Sequence, residues 1–243
     1  MPHPNEVLVT GGGTGIGCAV AALLAESGDR VTITGRREHV LREAATRLGV
    51  RYVAFDATDP DAVSAALEKL PDRIDVLVNN AGGNTDIGTE PPAADDLAGI
   101  AAAWRSNLDA NLLSAVLVTT AVRSRLGRGG RVVTIGSIAA RTGAGSYGAA
   151  KAALEAWNAD LARGLGPHGI TANVVAPGLV EETEFFGELL PPERRARLVA
   201  DTFTQRAGVP EDVAATVEFL AGPGAGHVTG QVLHVNGGAH LGH

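Results

Sequence analysis

The stretch VLVTGGGTGIGCAV, residues 7–20, decides how the rest of the chain is read. An aliphatic run leads into glycines, and the glycines lead into a helix-forming segment rich in Ala and Leu. Gly11, Gly15 and Gly17 keep a G-x3-G-x-G spacing, with Gly12 and Gly13 between them. Glycines let a backbone turn sharply and approach a pyrophosphate closely. The start of the following helix adds unpaired N–H groups and the positive end of its dipole. An ordinary tight turn has the same composition. Its place between a first strand and a first helix is what points to a dinucleotide.

Working outward, short β-branched runs alternate with Ala/Leu-rich stretches. Strands are expected at 6–10, 30–34, 51–55, 74–79, 131–135, 171–176 and 231–235. Helices are expected near 15–27, 38–48, 60–70, 95–126, 147–165 and 211–221. Several strands lack in/out alternation, as strands covered on both faces do. This order predicts an α/β single-domain Rossmann fold over residues 1–243: a doubly wound, seven-stranded parallel sheet with helices on both faces. Segments 83–94 and 177–192 are irregular. The second is long for a connection, so 177–205 is expected to form a substrate lid, with a plain surface excursion as the alternative.

Bulk properties exclude several classes. The net charge is −7 and no Lys/Arg run is dense enough to hold a nucleic acid. No apolar run reaches 18 residues and no charged-then-apolar leader opens the chain, so no membrane association and a cytoplasmic location are expected. Cys18 is the only cysteine, so no intrachain disulfide can form. It reads as a small core residue. Aromatics are only 4% of the chain, so the core must be built from small and branched side chains.

The chain has two tyrosines and two lysines, and one of each stands four residues apart: Tyr147 and Lys151 in SYGAAKAALEAW. On a helix these positions share a face. An ammonium near a phenol favours the phenolate, and bringing a tyrosine from about 10 to near neutrality takes about 4 kcal/mol. A chance contact on a helix surface would give the same spacing. The second strand ends in TITGRRE, with Gly35 where an acid would hold a ribose 2′-OH, followed by Arg36 and Arg37. A guanidinium suits a 2′-phosphate, so NADP(H) is expected, with NAD(H) still possible and two solvated arginines as the alternative.

Taken together, TGGGTGIG (10–17), FDATD (55–59), NNAG (79–82), DANLL (109–113), IGS (135–137), YGAAK (147–151), APG (176–178) and VTGQVLHVNGG (228–238) resemble the short-chain dehydrogenase/reductase family over nearly the whole chain. The general look is that of its 3-oxoacyl-(acyl-carrier-protein) reductase branch. The resemblance implies NADPH-dependent reduction of a ketone, with four catalytic roles. Tyr147 would exchange a proton with the substrate oxygen, and Lys151 would lower its pKa and hold the nicotinamide ribose. Ser137 would hydrogen-bond the oxygen, and Asn111 would position a water for a proton relay. The cofactor would lie along Gly11, Gly13, Thr14, Gly15, Ile16 and Gly17, with Arg36 and Arg37 beyond them. Asp56 and Ala57 would sit at the adenine, and Asn80, Ala81 and Gly82 along the centre. Tyr147, Lys151, Pro177, Gly178 and Val180 would line the nicotinamide end, Val180 at the carboxamide.

The sequence departs from the family in three places. Ser137 and Tyr147 are ten residues apart, fewer than in many members, which shortens one wall of the substrate pocket. Thr14 stands where many NADP-binding members carry a basic residue. After Pro177 and Gly178, Glu182 takes the usual threonine position and Thr183 follows it.

The substrate is expected to be a carrier-bound or a small free carbonyl compound. Arg123, Arg125, Arg128 and Arg131 could steer an acidic carrier, or simply cap a helix C-terminus. Glu181, Glu182, Glu184 and Glu188 would repel one, and Phe185 and Phe186 suggest an apolar cover. A small-molecule alcohol, sugar or polyketide dehydrogenase is the alternative. A non-catalytic NADP-binding sensor is disfavoured because Asn111, Ser137, Tyr147 and Lys151 are all present. His227, His234, His240 and His243 lack metal-ligand spacing, so no metal is expected. The 147–165 helix is apolar on more than one face, at Ala149, Ala152, Ala153, Ala156 and Trp157 among others. That predicts a homo-oligomer, which the resemblance makes a homotetramer.

Overall fold

The computed structural model describes residues 4–242. The strands are β1 (Glu6–Thr10), β2 (Arg30–Gly35), β3 (Arg51–Ala54), β4 (Ile74–Asn79), β5 (Leu126–Ile135), β6 (Thr171–Pro177) and β7 (Val232–Val235). They form one parallel sheet in the order β3-β2-β1-β4-β5-β6-β7. Between them run α1 (Gly15–Glu26), α2 (Glu38–Leu48), α3 (Pro60–Ala66), α4 (Leu97–Leu108) and α5 (Ser114–Val122). The later helices are α6 (Ala139–Thr142), α7 (Gly145–Leu165), α8 (Pro192–Ala200) and α9 (Pro210–Ala221).

Both faces of the sheet are covered, and neighbouring strand residues feed opposite cores. Val7, Val9, Val31, Ile33, Val76 and Val78 pack with residues of α1, α2 and α9. Leu8, Leu77, Val132 and Ala172 pack with Val63, Val118, Leu161 and Leu165 from the other side. Each fully buried Leu or Val removes enough apolar surface from water to contribute about 1.5–3 kcal/mol before entropy is counted. That is why the central strands read as unbroken apolar runs.

Local chemistry sets the helix starts. Asp59 accepts hydrogen bonds from the N–H groups of Asp61 (2.9 Å) and Ala62 (3.2 Å) ahead of Pro60 at the first turn of α3. Pro210 opens α9, and Asp212 accepts from the N–H of Val209 at 3.0 Å.

Three expectations change. The helix expected over 95–126 is not continuous: α4 passes through a π turn at Asp109–Leu113 into α5, where the N–H of Ser114 reaches back to the carbonyl of Asp109. Strand β5 begins at Leu126, but Gly127–Gly130 loops out between two pairings, and the regular ladder starts at Arg131. The segment after β6 contains α8, which the sequence reading left irregular to 192.

Candidate active site

The strand order reverses between β1 and β4, so the chain leaves their carboxyl ends in opposite directions and opens a crevice there. One wall is the glycine turn. Gly11 (φ 64°) and Gly15 (φ 51°) hold left-handed backbone. A Cβ on Gly17 would lie 2.3 Å from the carbonyl oxygen of Gly11 and 2.4 Å from the amide nitrogen of Asn80, so α1 presses on the turn only because that side chain is missing. Thr14 is the N-cap of α1 in extended conformation, yet its hydroxyl makes no capping bond to the helix. Ile16 packs on the core and Gly13 lies against Val40.

Asn80 donates both amide protons to the turn, to the carbonyls of Thr10 (3.1 Å) and Gly11 (3.0 Å). The Thr10 hydroxyl accepts from the N–H groups of Asn80 and Ala81 at 3.0 Å each. Asn80 therefore ties β4 to the turn through its side-chain amide. Gly82 (φ 153°) sits so close to Asn111 that a Cβ would come within 2.6 Å of Oδ1.

At the ends of β2 and β3 the structure brings Arg36, Asp56 and Ala57 together. Burial pushes the Asp56 carboxyl up, but hydrogen bonds from the Thr58 N–H (2.9 Å) and hydroxyl (2.8 Å), with the Arg36 charge, leave it below the usual range.

The opposite wall carries Ser137, Tyr147, Lys151 and Asn111. Tyr147 and Lys151 are buried in the first turns of α7, on one side of it, with the Lys151 ammonium 5.7 Å from the phenol ring centroid. The ammonium donates to the carbonyl of Ile135 at 2.9 Å, at the end of β5 just before Ser137. The Ser137 hydroxyl accepts from the N–H of Ala139 at 3.1 Å. The expected acidified phenol is not what the chain alone produces. Burial pushes the Tyr147 phenol up to about 12, and a hydrogen bond from Ser137 pulls it back only in part. Burial likewise pulls the Lys151 amine down to about 8. The amine reaches a main-chain carbonyl, and burial is the largest cause of the shift in both groups.

Asn111 lies inside the π turn, the kind of irregularity that gathers at functional sites. Its amide donates to the carbonyls of Gly83 (2.8 Å) and Asn107 (2.9 Å), and Oδ1 accepts from the N–H of Gly83 at 3.1 Å. Sequence reasoning missed the chain beyond it. Asn107 donates its side-chain amide to the hydroxyl of Ser146 (2.9 Å), which donates to Asp86 (3.1 Å), while the Asn107 Oδ1 accepts from the N–H of Thr85 (3.1 Å). The available signal was two asparagines four residues apart, which a helix places on one side.

At the root of the next segment, Val180 forms a parallel bridge with Gly208. Its hydrogen bonds run through the flanking residues, Gly208 to Leu179 and Glu181 to Gly208, both at 2.9 Å. The N–H and carbonyl of Val180 itself thus point away from Gly208, which suits recognition of a carboxamide. Glycine turn, helix N-terminus and this backbone pair fit a nicotinamide dinucleotide.

Residues 11–240 match a family model described as enoyl-(acyl carrier protein) reductase. The chain is 35% identical to the 3-oxoacyl-(acyl-carrier-protein) reductase of Escherichia coli, over 96% of each chain. It is 37% identical to a putative oxidoreductase of Mycobacterium tuberculosis, over 96% of this chain and 97% of that one. A short-chain dehydrogenase from Burkholderia cenocepacia solved in complex with NADP superposes with a TM-score of 0.82 at 34% identity, over 98% of each chain. The chain belongs to the short-chain dehydrogenase/reductase family.

Within this family frame, residues 181–189 lie across the crevice. Phe185 packs on Tyr147 with ring centroids 5.6 Å apart, and Phe186 meets Phe185 edge-on at 4.7 Å. Thr183 lies over Gly15, 3.3 Å from where a Cβ would be. Glu184 pairs with Arg37 at 2.5 Å and Glu181 pairs with Arg195. Two of the four acids expected to repel an anionic partner are therefore already neutralised; the Glu188 side chain lies outside the described residues.

The arginine cluster is also recast. Arg125 donates to the carbonyls of Leu67 (2.9 Å), Leu70 (3.0 Å) and Pro71 (2.9 Å). Arg131 is buried against the carbonyls of Gly129 and Gly130. These arginines belong to the amino end of β5, whereas Ser137 follows its carboxyl end, so the cluster sits at the opposite edge of the sheet from Tyr147. His234 and His240 stack edge-on at 4.9 Å. Among the described residues no three potential metal ligands come together, and His243 lies outside them.

Proposed function

We propose that the chain is an NADP(H)-dependent carbonyl reductase whose cofactor lies from Arg36 and Arg37, across the glycine turn, to Val180. Bound there, NADPH supplies the hydride that reaches the carbonyl carbon. Tyr147 gives its phenolic proton to the carbonyl oxygen as the C–O π bond opens, leaving the alcohol and a phenolate. Ser137 holds that oxygen by a hydrogen bond, and Lys151 attracts the phenolate while it is reprotonated. The carrying observation is the burial of Tyr147 and Lys151 on one side of α7 beside the end of β5, facing the crevice of the glycine turn. At neutral pH the buried phenol carries its proton, as a group that donates to the carbonyl oxygen must. Residues 177–205 act as the substrate lid, with Phe185 as its apolar inner surface.

The 3-oxoacyl thioester is the first substrate class to test. A small free ketone is the second reading, favoured because Arg125 and Arg131 are engaged by main-chain carbonyls and lie towards the end of the sheet away from this crevice. NADPH consumption with 3-oxoacyl thioesters and activated ketones separates the two, and no turnover of either class would refute the reductase reading. Self-association is supported by exposed Trp104 and Leu113 on the helical segment beside α7, and by Ala156 on α7 itself; the family resemblance makes the expected assembly a homotetramer. Sedimentation showing a stable monomer would refute it.

A further inference from the structure

The segment over the crevice carries an anion where an anionic ligand is expected. The Glu184 carboxylate takes Arg37 at 2.5 Å and, through the same oxygen, the Thr14 hydroxyl at 3.2 Å. Thr14 caps α1 by position but gives its hydroxyl to Glu184 instead of to the helix. Glu184 is thus bound by one of the two arginines after β2 and by the residue that opens α1. Its neighbours lie on the site as well: Thr183 on Gly15 and Phe185 on Tyr147. Glu182, just before them, turns with φ 58°, a conformation that favours glycine.

We infer that Glu184 is a built-in competitor for the cofactor's 2′-phosphate, exchanging with it for Arg37, so that nucleotide binding and release of the lid from Tyr147 are linked. This rests on the NADP(H) reading above. A phosphate dianion outcompetes a carboxylate for a guanidinium, and the Arg37–Glu184 pair is easily surrendered because both side chains are more than half exposed. Linkage is reciprocal: whatever holds Glu184 on Arg37 weakens the nucleotide by the same factor. A nucleotide without the 2′-phosphate does not call on Arg37, so Glu184 acts as a specificity-determining residue and not only as a latch.

The test is calorimetric titration of the full chain with NADP+, NAD+ and adenosine 2′,5′-bisphosphate, for wild type, Glu184→Gln, Arg37→Gln and the double variant. Glu184→Gln should tighten NADP+ and the bisphosphate by about two- to fivefold and leave NAD+ within error. On the Arg37→Gln background that gain should vanish. Glu184→Gln binding NADP+ equally or more weakly, while wild type prefers NADP+ and Arg37→Gln loses that preference, overturns the competitor alone. Equal affinity for both nucleotides in wild type, unchanged by Arg37→Gln, overturns the NADP(H) reading and this inference with it.

Discussion

The two walls of the crevice are built by opposite means. On the α7 side, Tyr147, Lys151, Asn107, Asn111 and Ser146 are all buried, and the last four are hydrogen-bonded to one another or to main-chain carbonyls. Across the crevice, residues 181–189 are held by half-exposed ion pairs, Glu184 with Arg37 and Glu181 with Arg195. Buried polar groups cost too much to leave unpaired, so the first wall has essentially one arrangement. Exposed pairs cost little to exchange, as the lid proposed for this segment requires. Proton transfer needs the first kind of wall, and access to the site needs the second.

Substitutions should sort along that divide. Tyr147→Phe should lower kcat by about 10²- to 10⁴-fold with native circular dichroism, because only a proton donor is lost. Turnover within threefold of wild type would place the chemistry elsewhere. Gly17→Ala should cost about 1–3 kcal/mol and roughly 3–10 °C in Tm, since its Cβ must enter space held by Gly11 and Asn80.

The pH response of Lys151 comes next. Its amine titrates near 8 when folded, below the ordinary 10.5, so the unfolded chain binds more protons across that interval. Stability from this group is therefore lowest below pH 8 and rises as pH climbs from there towards 10.5. The Tm difference between Lys151→Met and wild type should accordingly shrink from pH 7 to 9 if the variant is the more stable, or widen if it is the less. A difference independent of pH would mean the ammonium is not buried. Smallest of all, Glu181→Gln should move Tm by no more than about a degree, and any larger change would show that the lid is anchored as firmly as the α7 wall.

How much of this could be read from residues alone follows the same division. The sheet was legible because β-branched runs and glycine junctions are local signals. Even the expected start of the fifth strand at Arg131 matches where the regular ladder begins, since Gly127–Gly130 had read as something other than strand. Tyr147 and Lys151 were legible as neighbours because helical spacing places them together. The direction of their titration was not, because it depends on how completely the fold removes water from both groups. The α8 helix was missed although Pro192 and Glu193 open it as Pro210 and Glu211 open α9, because it buries no residue and so carries no clear apolar stripe. The grip of Glu184 on Arg37 spans 147 residues of sequence, and no local pattern announces a contact that distant.

The π turn at Asp109–Leu113 gives the molecule a peculiar relation to its own sequence length. A π turn is an α-helix with one residue too many, so deleting one position there would let the whole segment relax into regular geometry. The shortened helix would have better hydrogen bonds, and the turns on either side would keep nearly their present facing because the wider turn already absorbs the extra residue; what would be lost is the bulge that carries Asn111. Selection for stability alone would favour that deletion; keeping the surplus residue ties the length of this helix to the alignment of the site.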